Sequence, residues 1–349
     1  MTAENKLISL LAKYKELGIE GLIDYKKFYL YSLITHSTAI EGSTVTEVEN
    51  QLLFDEGISA KGRSISEQLM NLDLKAAYEQ SMIYAEKGED ITIAMLKQLA
   101  SVVMKNTGSV YRTALGDFSS ADGDLRLLNV TAGAGGKSYM NYSKVPQRLQ
   151  QMCENINQRR KTVDRDNIIE CYYLSFDLHF MLVTIHPWAD GNGRMSRLVM
   201  NQLQFELGIV PTIIHTDSKA EYIEALVATR EANDIAIFRQ FMLEEHARNI
   251  EQRITNHNNS LDDDFDPTNL IVSTDDGLNN GLNDGLKLSD RARKIISIVK
   301  ANPNINVENI ALTLGISKPT AEREIASLKS KGFIERRGSK KSGVWVVKG

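Results

Sequence analysis

Cysteine is nearly missing from this sequence: Cys153 and Cys171 are the only two in 349 residues. Both stand in helix-like contexts and form no metal or redox pair, so a disulfide-stapled scaffold is excluded and a reducing, cytoplasmic setting is expected. Long apolar runs are also missing. The opening MTAENKLISL has no signal-like core, and no later stretch is expected to span a bilayer, so no membrane partner is expected. An excess of positive charge is lacking as well. With 41 Lys and Arg against 45 Asp and Glu, the net charge of -4 removes any whole-chain case for nucleic-acid binding and leaves single segments open. What remains is an ordinary globular composition, 42% hydrophobic and 25% charged, on a chain long enough for two or three domains.

From about Leu7 to Leu99 the pattern is of helices with polar breaks. The character changes between Gly108 and Val145. There DLRLLNVTAGAGGKSYM reads as a strand, a glycine-rich turn over Gly133 to Gly136, and a second short strand, the signature of a β-hairpin. From Ile168 to Ile185 the chain is apolar on nearly every side, which places that helix at the centre of a helical domain. Pro187 ends it, and a further helix runs from near Gly193 to a stop at Gly208. Helices continue to about Asn256.

Residues 257–288, with DDDFD and the Gly-Leu-Asn repeat that carries Leu278, Leu282 and Leu286, are too poor in apolar residues for a core and read as a linker. After Ser289 come three amphipathic helices, the second closed by Gly315 and the third capped by Ser317, then strand, turn and strand. That order is a winged helix-turn-helix. Residues 318–349 hold nine Lys and Arg against three Glu, and this basic third helix and wing suit contact with DNA phosphates. The expected division is residues 1–95, 96–256, 257–288 and 289–349.

The chemistry is concentrated in IHPWADGNGRMSR, residues 185–197. Gly191 and Gly193 free the backbone to curl, so that N–H groups converge at a helix start, a ready site for phosphate. Asn192 can add a side-chain donor. Arg194 and Arg197 are three apart, share a helix face and can grip separate phosphate oxygens. Asp190 stands just before this nest, where one carboxylate can hold Mg²⁺ against phosphates. His186, at the end of the buried helix, offers a neutral imidazole to take a proton from a hydroxyl near pH 7. A calcium loop counted from Asp190 fails, because Arg194, Met195 and Asn201 fall at the fifth, sixth and twelfth positions. Zinc held by His179, His186 and Asp190 fits on spacing alone and leaves the glycines and arginines without a job. The whole set implies transfer of a phosphate-containing group to a hydroxyl.

The same run resembles the signature of the Fic family (filamentation induced by cAMP), H-P-F-x-D/E-G-N-G-R-x-x-R, with Trp188 in place of the phenylalanine; the resemblance covers roughly residues 30 to 250. It implies a mainly α fold, a Fic-type helical domain with a β-hairpin flap, followed here by the small winged-helix domain. It implies transfer of AMP from ATP, with Mg²⁺, to a Ser, Thr or Tyr hydroxyl of a target protein. His186 would be the base, Asp190 the metal ligand, and Gly191, Asn192, Gly193 and Arg194 the phosphate cradle. Met195 and Ser196 would belong to the same nucleotide-binding turn, and Arg197 would hold the γ-phosphate. Doc-type relatives that transfer phosphate carry lysine where Gly193 stands, so the adenylyl branch is favoured. Leu128, Asn129 and Val130 would lie on the flap that pairs with an extended target segment. Tyr222 would approach the adenine, although Ile223 replaces the second tyrosine of the family's usual pair. A second copy of the chain is a further expected partner.

Upstream, SLITHSTAIEGST puts Glu41 on the last turn of a helix with Gly42 as its stop. A carboxylate there faces the negative end of the helix dipole at a cost of a few tenths of a kcal/mol, roughly, which calls for compensation elsewhere. Ser37 to Gly42 resembles the family's inhibitory pattern S/T-x-x-x-E-G/N, which implies that Glu41 pairs with Arg197 and blocks seating of the γ-phosphate. Relatives with such a glutamate also include ones that remove AMP. A reading from another class remains: a DNA-binding regulator whose Fic domain only senses nucleotide or dimerises. His186 argues against it, since a pure binder needs no base.

Overall fold

The computed structural model describes residues 2–22, 24–132 and 138–261, with 295, 299, 307, 325, 326, 328, 329, 334–337 and 344–347. Ten α-helices are described in the first of two compact units, Met1–Gly281. They are α1 (Ala3–Glu16), α2 (Tyr25–Ile40), α3 (Glu47–Glu56), α4 (Ile65–Lys87), α5 (Ile93–Val103), α6 (Val145–Thr162), α7 (Ile168–Ile185), α8 (Asn192–Glu206), α9 (Lys219–Ala232) and α10 (Ile235–Leu261). Local chemistry sets many of the ends. Thr46 and Ser64 open α3 and α4 as reciprocal capping boxes with Glu49 and Glu67, and Gly57 and Gly88 close the same helices in the left-handed region.

Helix α7 is the axis of the unit. It packs along α8 and is flanked by α6, α10 and α1. Leu178, Leu182 and Phe176 are fully buried and Leu174 nearly so, each contributing roughly 1.5–3 kcal/mol. At 18 residues this helix is long and apolar enough to cross a bilayer on length and composition, contrary to the expectation from the sequence. It is nonetheless the core helix of this bundle and carries buried Ser175, Asp177 and His179. Asp177 accepts from Arg159 and Arg239, and Ser175 accepts from Gln204 of α8 at 3.0 Å.

Two expectations about boundaries change. Residues 1–95 do not form a region of their own, because Leu7, Leu33, Ile34, Leu74 and Leu96 belong to the same core as Phe176, Leu203 and Ile250. Helix α10 also continues to Leu261, past the expected end near Asn256.

The sheet content differs more. The regular hairpin of the first unit is β1 (Val110–Thr113) with β2 (Gly116–Ser119), joined by Ala114 and Leu115. Among the described residues, the hairpin expected further on shows an antiparallel bridge, Thr131 to Ser138, and a bond from the Tyr139 N–H to the Val130 carbonyl at 3.0 Å. Its arms are also tied to the body by side chains. Its turn, Gly133 to Gly136, lies outside the described residues.

The second unit, Leu282–Gly349, holds the antiparallel pair β3 (Ile334–Arg337) and β4 (Val344–Val347), in register Ile334 to Val347. Helical Ile295, Val299, Ile325 and Leu328 are buried together with Ile334 as the core expected of helices and a wing. The linker assignment from 262 to 288 and the Ser317 cap lie outside the described residues.

Candidate active site

The last residue of α7 is Ile185, and His186 caps it in the left-handed region, φ 52°, with its N–H donating to the Leu182 carbonyl at 3.0 Å. That turn swings the imidazole out of the core towards the flap. Its Nδ1 lies 3.4 Å from the Val183 carbonyl, which favours the proton on Nδ1 and leaves Nε2 as acceptor. Burial, aided by the charges of Arg126 and Arg230 and opposed by the Val183 carbonyl and Glu41, pulls its pKa down to about 4. At pH 7 the ring is neutral, as a base must be.

The loop that follows is closed on itself. Trp188 is buried and its indole N–H donates to the Gly123 carbonyl at 3.1 Å, the anchoring role expected of a large aromatic. The Asn192 side chain accepts from the Trp188 N–H at 3.0 Å and donates to its carbonyl at 2.9 Å. Asn192 therefore shapes the loop, which uses its amide oxygen and one of its two amide N–H groups. Gly191, φ 80°, is required twice over: the left-handed backbone favours it, and a Cβ there would meet Met104 Sδ at 2.7 Å.

Helix α8 then begins, and the first-turn N–H groups of Asn192, Gly193 and Arg194 have no helical carbonyl to bond. This is the anion nest the glycines imply. Met195 and Ser196 are not part of its surface. Their side chains are fully buried, the Met195 N–H donates to the Gly191 carbonyl at 2.9 Å, and the Ser196 hydroxyl donates to the Asn192 carbonyl at 2.8 Å. Helical period explains this: 195 and 196 lie on the core face, 194 and 197 towards the nest.

Arg194 is buried, and its Nε and Nη1 have no hydrogen-bond partner among the described residues. A buried guanidinium with N–H groups to spare is costly unless an anion completes it. Asp190 is exposed, its Oδ1 accepting from the Gly191 N–H at 2.6 Å and lying 3.7 Å from Arg194 Nη2. Its second oxygen fits a cation that needs a single carboxylate, and no group of three or more His, Cys, Asp or Glu suited to a metal occurs among the described residues. The alternative zinc set is not brought together. His179 lies in the core and shares a 2.9 Å hydrogen bond with the Tyr222 hydroxyl.

Arg197 is buried and saturated. It donates to Ser37 Oγ at 2.8 Å, to the Ser37 carbonyl at 2.9 Å and to Glu41 Oε1 at 2.5 Å. Tyr222 is buried, its hydroxyl sharing the hydrogen bond with His179, a correction to the expected adenine contact, and Ile223 beside it is exposed. The Glu41 carboxylate sits over the nest itself, since a Cβ added to Gly193 would overlap Oε1. Burial pushes the Glu41 pKa up, but the charge and hydrogen bond of Arg197, with Arg194 and Lys219, hold it below the usual carboxylate value. The compensation that its poor position at a helix end calls for is this pair.

On the flap, the Leu128 carbonyl accepts from Arg126 at 2.8 Å, the Val130 carbonyl accepts from Tyr139, and exposed Asn129 accepts from the Tyr142 N–H through its side chain. The sequence reading missed Arg126. It is buried, donates to the carbonyls of His186 at 2.7 Å, Leu128 and Met140, and its own N–H donates to the Pro187 carbonyl at 3.0 Å. One guanidinium thus ties both flap arms to the catalytic loop. An arginine inside DLRLLNV offers no signal of this beyond its apolar neighbours.

Comparison with known proteins follows this geometry. Residues 90–204 match the Fic/DOC family, and residues 288–335 match a winged helix-turn-helix DNA-binding family. The protein adenylyltransferase Fic of Drosophila grimshawi is 27% identical over 247 residues, 68% of this chain and 47% of that protein, so the chain spans about half the length of the curated relatives it matches. A Fic domain containing signaling protein from Bacteroides thetaiotaomicron superposes with a TM-score of 0.60 at 20% identity, over 72% of this chain and 98% of that one. A Fic family protein from Desulfovibrio desulfuricans superposes with a TM-score of 0.56 at 17% identity, over 99% of this chain and 96% of that one. With the His186 to Arg197 loop at the centre of such a fold, residues 90–204 are similar to the Fic/DOC family, and a segment similar to a winged helix-turn-helix family follows at residues 288–335.

Proposed function

We propose that this chain is a protein adenylyltransferase, held in check by Glu41, that moves AMP from ATP to a hydroxyl side chain of a target protein. The observation that carries the reading is the neutral His186 imidazole beside an anion nest whose buried Arg194 keeps two unpaired nitrogens. In the reaction, His186 Nε2 takes the proton of the incoming hydroxyl. The hydroxyl oxygen forms a bond to the α-phosphorus, the bond from that phosphorus to the bridging oxygen breaks, and pyrophosphate leaves. The first-turn N–H groups of α8 and Arg194 hold the phosphates in place. Mg²⁺ on Asp190 would supply charge neutralisation of the phosphates. A cytoplasmic setting, and a second copy of the chain as partner, belong to the same reading.

Glu41 opposes this in two ways. It places a negative charge over Gly193, where a phosphate would sit, and it occupies Arg197. Glu41→Gly should raise adenylylation of the chain itself, read as AMP-bearing species by intact mass spectrometry with ATP and Mg²⁺. The expected gain is on the order of 10- to 100-fold, the equivalent of the roughly 1.5–3 kcal/mol of a charge-assisted hydrogen bond. The variant should also gain more thermal stability from ATP than the wild type does, because a phosphate replaces the lost carboxylate on Arg197. Unchanged incorporation together with unchanged ATP stabilisation would remove Glu41 from its role.

The winged-helix match supports a DNA contact by the second unit. Binding by the full chain to duplex DNA should weaken steeply with salt, with a log–log slope of about -0.9 for each phosphate neutralised. Affinity that is absent at low salt leaves the unit as a protein-docking module.

A further inference from the structure

The flap's returning arm carries Tyr139. The Tyr139 ring lies on the His186 imidazole with centroids 3.8 Å apart and planes 14° apart. The Arg230 guanidinium of α9 lies over the Tyr139 ring at 5.6 Å, and its Nε is anchored on the Leu226 carbonyl at 3.1 Å. The Tyr139 N–H is also the group that bonds the outgoing arm at Val130. A single residue therefore joins the two flap arms and covers the base.

We propose that Tyr139 is a positioning residue for His186: held over the imidazole by Arg230, its ring fixes the plane of the base and covers one of its faces, so that flap closure and readiness of the base depend on the same side chain. The proposal rests on the assignment of His186 as the base. Arg126 fixes the backbone of His186 through its carbonyl, but nothing in that bond sets the rotation of the ring. The parallel tyrosine does, leaving Nε2 free at the edge of the stack. The stack also disfavours the imidazolium. An aromatic face attracts a cation, but Arg230 already lies over this tyrosine, and a charged His186 would add a second cation to one short stack. Besides the stacked Tyr139 and the Val183 carbonyl, the charges that act on His186 most strongly are those of Arg126 and Arg230, opposed by Glu41.

Proton NMR titration of the histidines in the full chain, with the His186 signal identified by its loss in His186→Ala, tests this without any need for catalysis. Wild type and Tyr139→Phe should titrate His186 below the ordinary histidine range. Tyr139→Ala and, separately, Arg230→Gln should move it upward by about one pH unit or more. In the Glu41→Gly background, the acid limb of the pH–rate profile should move upward in parallel for Tyr139→Ala, with KM for ATP unchanged and activity restored in Tyr139→Phe. If neither Tyr139→Ala nor Arg230→Gln moves the titration, the proposal is wrong, whatever the activity. If the titration moves while every variant lacks transferase activity, the positioning role stands and the adenylyltransferase reading falls.

Discussion

His186→Ala in the Glu41→Gly background lowers AMP incorporation from labelled ATP by roughly 10²–10⁴-fold, the usual worth of a positioned general base. The size follows from the surroundings of the ring. Its Nδ1 faces the Val183 carbonyl, so Nε2 is the acceptor, and burial among cations keeps it unprotonated at neutral pH. Among the described residues, the nearby carboxylates do not take its place. Asp190 already accepts from the Gly191 N–H and is assigned to the cation, and the Glu41 carboxylate is gone in this background. Binding of ATP should barely change, because the nest is made by Gly193, Arg194 and the start of α8 and not by the imidazole. Equilibrium binding of a fluorescent ATP analogue separates the two effects. Loss of binding with His186→Ala would make the histidine part of the nucleotide seat, and incorporation within threefold of the parent would end its assignment as base.

Two fully buried histidines alone should lower the stability of the helical unit by about 4 kcal/mol between pH 7.5 and pH 5, a large part of the roughly 5–15 kcal/mol of a typical domain. His36, His186 and His215, also lowered by burial, add in the same sense. His179 and His246 are fully buried, each giving Nε2 to a tyrosine hydroxyl, while Nδ1 of each has no partner among the described residues. Burial pulls both pKa values down to about 3. The unfolded chain binds their protons from about pH 6.5 downward while the folded chain refuses them, so stability rises with pH between about 3 and 6.5. It is complete above that window, lost progressively through it as pH falls, and gone below it. Each histidine contributes on the order of 1.4 kcal/mol per pH unit inside the window. Paired carboxylates such as Glu41 and Glu67 shift stability in the same sense only at lower pH, so the range from 5 to 6.5 belongs to the histidines. Urea unfolding followed by circular dichroism measures the slope. Uptake of less than one proton in that range would show that the two rings do charge in the folded state.

The sequence made the helical architecture legible where short-range rules decide. Capping boxes, terminal glycines and the all-apolar α7 are local signals that tertiary contacts reinforce. The anion nest was readable for the same reason, since glycine placement and a helix start are properties of a few consecutive residues. The limits appear where distant segments meet. Nothing in the spacing tells that Asn192 folds back on Trp188, that Tyr222 meets His179, or that Arg126 holds three carbonyls sixty residues and less away. The expected hairpin is visible as an antiparallel pairing of its described arms, and what the sequence does not tell is that Arg126 also ties both arms to the body.

Helix α2 has one more consequence. Thr38, one turn before Glu41, is fully buried and donates to Asn71, which also accepts from Asn50, while Ile34 and Ile40 lie in the main core. If Glu41 restrains the site as proposed, the restraint is cast into the body of the molecule and is no detachable plug. A partner that frees the nucleotide seat cannot pull the helix away without unravelling the bundle. It has to act on the few torsion angles of a single carboxylate-bearing side chain, which makes the release local, fast and easily reversed.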